Sequence, residues 1–298
     1  MSTWLISGSS GLVGTRLVQL LRHGDHTVVR LVRRRPNGPD EIAWDPATHE
    51  LPDGALDGVD VVVNLSGETI GGRFTDEHRA AILRSRLDAT TTLSDALAAD
   101  PGERTLVQAS AIGFYGPRRP GELLTEGSTR GDGFLADVVA TWERASRHAT
   151  AAGVRTVLLR TGIVLSGNGG VLPQQLPLFR LGLGGPLTRR DAWLSWISLE
   201  DLARAYVHAG LTGSLSGRVN AVGPEPVTQG LFAKALGEAT HRPSWLPTPA
   251  VGPMLLLGRQ GYDELVNTDQ RVSSARLEAS GFEFLDRDVA SALRRALA

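Results

Sequence analysis

Gly8, Gly11 and Gly14 recur at three-residue spacing in the stretch Ser7-Gly8-Ser9-Ser10-Gly11-Leu12-Val13-Gly14. An apolar run, Trp4-Leu5-Ile6, precedes them, and apolar residues at helical spacing (Leu12, Val13, Leu17, Leu20, Leu21) follow. A glycine turn between a strand and a helix can hold phosphate, because unpaired N–H groups and the helix dipole favour an anion there. The first glycine permits the tight turn, the second lets the backbone approach a pyrophosphate, and the third lets the helix sit close on the sheet. The spacing is G-x-x-G-x-x-G rather than G-x-G-x-x-G, and the chemistry it predicts is dinucleotide binding.

A second group lies about 20 residues further on. The run Thr27-Val28-Val29-Arg30-Leu31-Val32 reads as a strand and ends in Arg33-Arg34-Arg35-Pro36. An NAD site places a carboxylate here to accept from the ribose 2′-OH. This strand ends without one, and arginines would instead pair with a 2′-phosphate. The expected cofactor is therefore NADP(H), with Arg33 and Arg34 at its phosphate. Arginine is a weaker signal in this chain than in most, since Lys234 is the single lysine among 31 basic residues.

Further candidates stand at the ends of other apolar runs. Val59–Leu65 is nearly continuous, as in a strand buried on both faces, and leads into the small residues Ser66 and Gly67. Arg104–Ser110 leads into Ala111-Ile112-Gly113-Phe114-Tyr115-Gly116. Arg86 sits on a long helical segment from about Thr75 to Ala99; read alone, it belongs to a solvated face.

Composition removes other classes. With no cysteine there is no disulfide, thiolate nucleophile or Cys-ligated metal. The histidines (His23, His26, His49, His78, His148, His208, His241) are scattered and form no metal motif, and no G-x-S-x-G elbow is present. A net charge of −1 gives no general attraction to nucleic acid or anionic membrane. No apolar run reaches the roughly 20 residues of a membrane span. Met1-Ser2-Thr3 is too short for a signal peptide. A cytoplasmic protein with a small-molecule substrate is expected, and association into a homodimer stays open.

The elements that must position these residues alternate as strand and helix. Glu41–Trp44 reads as a short third strand, Phe134–Ala152 as a helix, and Arg155–Arg160 as a further strand. This order predicts an α/β fold: a Rossmann-like doubly wound parallel sheet with a small C-terminal α+β lobe. Residues 1–165 are expected to form the cofactor domain, with later segments returning to it. Residues 166–298 are expected to be mainly a substrate-side lobe, in which Ser198-Leu199-Glu200-Asp201 reads as a capping box.

Taken together, G-S-S-G-L-V-G at the N-terminus, N-L-S-G at Asn64–Gly67 and S-A-I-G-F-Y-G at Ser110–Gly116 resemble an extended short-chain dehydrogenase/reductase. I-A-W-D (Ile42–Asp45), S-R-L-D-A-T (Ser85–Thr90), W-E-R-A (Trp142–Ala145) and L-P-L-F-R-L-G-L-G-G-P-L (Leu176–Leu187) narrow the likeness. With W-I-S-L-E-D-L-A (Trp196–Ala203) and N-A-V-G-P-E-P-V-T (Asn220–Thr228), they resemble its atypical, sugar-nucleotide-epimerase-like branch. The resemblance implies NADP(H) contacts at Gly8, Ser10, Gly11, Leu12, Val13, Arg33, Arg34, Leu65, Ser66, Arg86 and Val164. Gly14, Gly67, Ala109 and Ile163 flank these as further cofactor-binding candidates. Where relatives carry a small-residue turn after G-G-P, this chain has Thr188-Arg189-Arg190, a possible anion site or simply surface charge.

Ordinary members of that superfamily exchange a proton through Tyr-x-x-x-Lys, the lysine lowering the tyrosine pKa from about 10. Four positions after Tyr115, Tyr206 and Tyr262 stand Arg119, Gly210 and Val266, and Gly230 stands four before Lys234. No such pair can form. The usual tyrosine position corresponds to Phe134, and the lysine position to Val138. Two readings follow. One is an NADP(H)-dependent oxidoreductase or epimerase in which Ser110 orients a carbonyl and Tyr115, or a water, supplies the proton. The other is a catalytically silent NADP(H)-binding sensor.

Overall fold

The computed structural model describes residues 1–298. Its elements begin with β1 (Thr3–Ser7), α1 (Leu12–His23), β2 (Thr27–Val32), β3 (Glu41–Ala43), β4 (Val61–Asn64), α2 (Asp76–Ala99), β5 (Thr105–Ala111) and β6 (Arg118–Leu124). There follow α3 (Phe134–Ala145), α4 (Arg147–Ala151), β7 (Arg155–Thr161), β8 (Ile163–Leu165), α5 (Leu172–Arg180), β9 (Trp193–Leu194) and β10 (Trp196–Ser198). The chain ends with α6 (Leu199–Leu211), β11 (Gly217–Ala221), β12 (Val227–Thr228), α7 (Gln229–Ala239), α8 (Val251–Leu265), β13 (Asp269–Val272), α9 (Ala275–Ala279) and α10 (Val289–Leu297).

Seven strands form one parallel sheet in the order β3-β2-β1-β4-β5-β7-β11. The order reverses between β1 and β4, and such a switch point opens a crevice at the carboxyl ends of the strands. The sheet is central because its strands are apolar on both faces: all four residues of β4 are buried. Trp4 and Ile6 pack with Leu17 and Leu21 of α1 and Leu202 and Tyr206 of α6. Leu5 points the other way and joins Ala89, Leu93 and Leu97 of α2. The doubly wound Rossmann architecture expected from the alternation is thus the observed one.

A second core lies outside the sheet, where Leu172, Leu176 and Phe179 of α5 meet Phe232 and Leu236 of α7 and Ala292 and Leu293 of α10. Three two-stranded pairings accompany it: β8 with β10, β9 with β12, and β6 with β13. Residues past 165 also return to the main sheet, through α6 packed on α1 and β11 paired with β7. Ser198 caps α6 by accepting from the Asp201 N–H, as the capping box predicts.

The differences from expectation are local. The helix expected over 134–152 divides at Ser146, whose hydroxyl donates to the Glu143 carbonyl at 2.7 Å and competes with the helical ladder. The strands β6 and β13 and the helix α8 have no clear signal in the sequence pattern. Pro120 and Gly121 interrupt β6, and α8 contains Pro253 and a kink at Gly258 with φ 71°. No helix is long and apolar enough to cross a membrane.

Candidate functional site

The glycine turn does three separate things. Gly8 has φ 68°, and a side chain there would collide with the backbone of Leu65 and Ser66, 2.6 Å from the Leu65 carbonyl carbon. Gly14 is pressed onto the turn, where a Cβ would overlap the Gly8 carbonyl oxygen and lie 2.7 Å from the Ser9 Cα. Gly11 differs: its φ is −74°, and a Cβ would meet only the Gly8 oxygen, at 3.4 Å. Nothing inside the protein demands a glycine at position 11. Gly11 is also the N-cap of α1 and offers no side-chain cap, so the first N–H groups of the helix stay open. Ser10 and Gly11 are exposed, Leu12 and Val13 half-buried. Gly169 and Gly170 of the loop after β8 pack against the Leu12 side chain and wall the turn on that side.

The floor beneath the turn is polar and closed. The Ser7 hydroxyl donates to Asn64 Oδ1 at 2.6 Å, and Asn64 Nδ2 donates to Thr90 and to Gln108. Asn64 Oδ1 also accepts from the Ser66 N–H, which fixes Leu65 and Ser66 beside Gly8. Arg86 crosses close over Gly67, where a Cβ would lie 3.2 Å from the guanidinium carbon. Its Nη1 donates to the carbonyls of Glu68 and Ile82, and its guanidinium lies 5.1 Å from the Trp142 ring. Burial pulls its pKa down to about 10, with Glu68 acting weakly in the other direction. No carboxylate pairs with Arg86. A desolvated cation without a paired carboxylate, over the segment that follows β4, fits a ligand that brings phosphate.

At the end of β2 the expectation of a carboxylate-free pocket needs correction. Glu41 of β3 stands opposite Arg30 of β2, with its side chain 1% exposed. It accepts from Arg34 Nη1 and Nη2 at 2.8 and 2.7 Å and from the Asn37 N–H at 2.7 Å, and Arg30 Nη2 lies in ion-pair contact 2.9 Å from its Oε1. Arg34 first, then Asn37, holds its carboxyl down at about 2. Both oxygens are engaged by Arg34, so Glu41 is not the free ribose acceptor of an NAD site. Arg34 is therefore anchored rather than loose, while Arg33 is exposed and makes no ion pair. Both line a hollow of about 700 Å³ with Trp44, Asp45 and Thr48.

Ser110 and Tyr115, the expected catalytic residues, face into the protein. Both are buried, at 4% and 0% exposure. The Ser110 hydroxyl donates to Glu143 Oε1 at 2.7 Å, and the Tyr115 hydroxyl donates to Asn220 Oδ1 at 2.7 Å. Between them lies Arg160, wholly buried, whose Nε and Nη2 donate to Glu143 and whose Nη1 donates to the Tyr115 oxygen. Its guanidinium stacks 3.6 Å from the Phe114 ring centre. Burial opposes the Glu143 charge, but Arg160, Ser110 and Arg218 outweigh it and leave its carboxyl below the usual range. These hydroxyls are spent on an internal network and reach no crevice.

No other phenol takes the role. Burial raises the pKa of Tyr115, Tyr206 and Tyr262 alike. Lys234 lies exposed on α7, paired with Glu238 at 3.8 Å. Phe134, in the position that carries tyrosine in ordinary members, packs edge-on against Phe74 at 5.3 Å and lies under the Arg79 guanidinium at 4.7 Å. The N–H groups of Phe134 and Leu135 donate to Glu264 of α8, so this helix N-terminus is already capped by a carboxylate.

Ala109 lies at the end of β5 and Ile163 and Val164 follow β7, all three half-buried at the same carboxyl edge as the turn. Arg189 pairs with Asp191 and Asp269, and Arg190 donates to the Trp245 carbonyl, so both hold the local chain together. No cluster of three or more potential ligands could hold a metal.

The chain matches the NAD dependent epimerase/dehydratase family over residues 4–221 and a domain of unknown function over residues 248–296. It is 43% identical to an epimerase family protein of Mycobacterium bovis over 97% of this chain and 95% of that protein. The crystal structure of the human epimerase family protein SDR39U1 (isoform 2) with NADPH superposes with a TM-score of 0.89 at 32% identity, covering 99% of this chain and 98% of that one. A UDP-glucose 4-epimerase from Thermus thermophilus, in complex with NAD, superposes with a TM-score of 0.75 over 99% of this chain and 97% of that one. At 20% identity that likeness concerns the fold alone.

Proposed function

The chain belongs to the NAD dependent epimerase/dehydratase family, and we propose that it is an NADP(H)-dependent oxidoreductase or epimerase-like protein with no tyrosine proton donor. Its substrate is a small carbonyl, hydroxyl or sugar-nucleotide compound. The observation that carries the reading is the pairing of an uncapped helix N-terminus at Gly11 with an arginine-lined end of β2 whose neighbouring carboxylate, Glu41, is already held by Arg34 and Asn37. The human relative of known structure is described with NADPH, which supports the same cofactor here.

In this reading the N–H groups at the start of α1 and the Arg86 guanidinium hold the pyrophosphate. Arg33 and Arg34 meet the 2′-phosphate, while Leu65, Ser66, Gly67, Ala109, Ile163 and Val164 bound the groove. When bound, NADP(H) supplies or accepts a hydride. The chain contributes binding, orientation and exclusion of water, and the balancing proton comes from water or from the substrate itself. A second reading, a catalytically silent NADP(H) sensor, is favoured by the inward-turned hydroxyls of Ser110 and Tyr115.

Titration of NADPH and NADH into the protein tests the cofactor. NADPH is expected to bind about tenfold or more tightly, as one charge-assisted phosphate contact contributes roughly 1.5–3 kcal/mol. Equal affinities would overturn the reading. A panel of carbonyl and sugar-nucleotide substrates, followed by NADPH absorbance, then separates enzyme from sensor. Tight binding without turnover across the panel selects the sensor.

A further inference from the structure

Arg22, Arg30, Arg34, Asp40 and Glu41 form a chain of ion pairs behind the arginine-lined end of β2. Arg22 and Arg30 both reach Asp40, at 2.6 and 3.1 Å, and Arg30 and Arg34 both reach Glu41, at 2.9 and 2.7 Å. Arg33 and Arg35 stand beside this chain, and Asp45, Glu50 and Asp53 line the same hollow as the three arginines of the turn, so net charge alone does not select an anion there. Most of the cations are already committed. What each has left decides what the pocket can recognise.

Arg34 has a specific remainder. Its Nη1 donates to Glu41 Oε2 and to the Arg35 carbonyl at 2.9 Å, and its Nη2 donates to Glu41 Oε1. Three of its five N–H groups are used. The two left are the Nε–H and the second Nη2–H, which lie side by side along one edge of the planar guanidinium. Such an edge is a fork that a phosphate can take with two parallel bonds. The Arg34 side chain is half exposed, whereas that of Glu41 is buried behind it.

We propose that Glu41 is a positioning residue for cofactor choice, gripping one edge of the Arg34 guanidinium so that the adjacent edge is presented to the 2′-phosphate of NADP(H). This rests on the NADP(H) reading above and extends it to a residue on a neighbouring strand. A lone arginine on a turn must lose side-chain freedom when it binds, up to about 2 kcal/mol. An arginine already held from behind has lost most of that beforehand. A ribose 2′-OH would offer the same edge only a neutral oxygen, so the arrangement favours phosphate over hydroxyl. Glu41 is itself turned from that hydroxyl, buried behind Arg34 with both of its oxygens bonded to the Arg34 guanidinium.

A double-mutant cycle on cofactor binding tests this, with NADPH and NADH titrated separately into wild type, R34A, E41Q and E41Q/R34A. R34A is expected to weaken NADPH about ten- to hundredfold. E41Q keeps the shape of Glu41 but loosens the grip, and is expected to weaken NADPH about three- to tenfold with NADH affinity unchanged. Because Glu41 acts through Arg34, E41Q is expected to have no further effect in the R34A background. Unaltered NADH binding also shows that each variant is folded. If E41Q does not fold, Glu41→Asp serves instead: its shorter carboxylate draws Arg34 back and lowers NADPH affinity in the same direction. An NADPH affinity left unchanged by E41Q, or an E41Q effect that persists in R34A, overturns the role of Glu41 and leaves the NADP(H) reading intact. Equal binding of both cofactors by the wild type overturns both.

Discussion

A phenol exchanges protons near neutral pH only when a neighbouring charge brings its pKa down from about 10. In this chain burial moves all three phenols upward, and the single lysine lies on another core. Tyr115→Phe therefore tests a structural residue. The change strips Asn220 Oδ1 and Arg160 Nη1 of a shared partner and is expected to cost about 1–2 kcal/mol of stability. Any NADPH-linked turnover should survive it. Denaturant unfolding and initial rates on the same preparation check both halves, and a fall of several orders in rate would restore Tyr115 as the acid. The missing Tyr-Lys pair could be read directly from the sequence, since a residue count excludes it. The inward turn of Tyr115 could not: its partner Asn220 lies 105 positions away. Glu41 escaped for a related reason. A reading confined to the end of β2 has no access to a carboxylate brought alongside by strand pairing.

At the scale of elements, local pattern carried most of the information. Buried parallel strands are continuous apolar runs, and helices announce themselves by period and cap. The sheet strands, α1, α6 and α7 were legible for that reason. The β6–β13 pair was not, because its strands are polar and interrupted, and their stability comes from each other. The glycine turn shows how one motif divides its labour. Gly11→Ala places a Cβ in ordinary contact with the Gly8 oxygen at an ordinary φ, so stability is expected to change by less than about 0.5 kcal/mol. Cofactor affinity is expected to fall, because the pyrophosphate must approach that same backbone. Gly14→Ala drives a Cβ into the backbone of Gly8 and Ser9 and is expected to cost stability first, by about 1–3 kcal/mol. Melting curves with and without NADPH separate the two. A Gly11→Ala variant that binds as tightly as wild type would mean that the ligand does not pass there.

At the scale of the molecule, the charged network that removes Ser110 from the crevice also binds distant segments together. Glu143 on α3 receives Ser110 from β5, Arg160 from β7 and Arg218 from β11. Asn220 of β11 extends it to Tyr115, to the Ser273 carbonyl just past β13, and through its own N–H to Glu126. Desolvating two charges is costly, and such a pair is kept only if neither partner is left alone. Glu143→Gln preserves the shape but leaves Arg160 buried without a counter-charge, and is expected to cost roughly 3–5 kcal/mol. Replacing both residues, as in E143L/R160M, should cost less than the single change. The same pair contributes to the acid sensitivity of the fold. Glu143 titrates below its ordinary range when folded, as does Glu41, at about 2. Below the unfolded value of about 4.3 the unfolded chain binds more protons than the native one. The stability from these carboxylates is thus complete above that pH and drains away as pH falls toward the folded values. Unfolding free energies measured between about pH 5 and pH 2 should slope downward in the wild type and less steeply in E143Q. Parallel slopes would show that Glu143 titrates alike in both states, and that the network does not hold its charge.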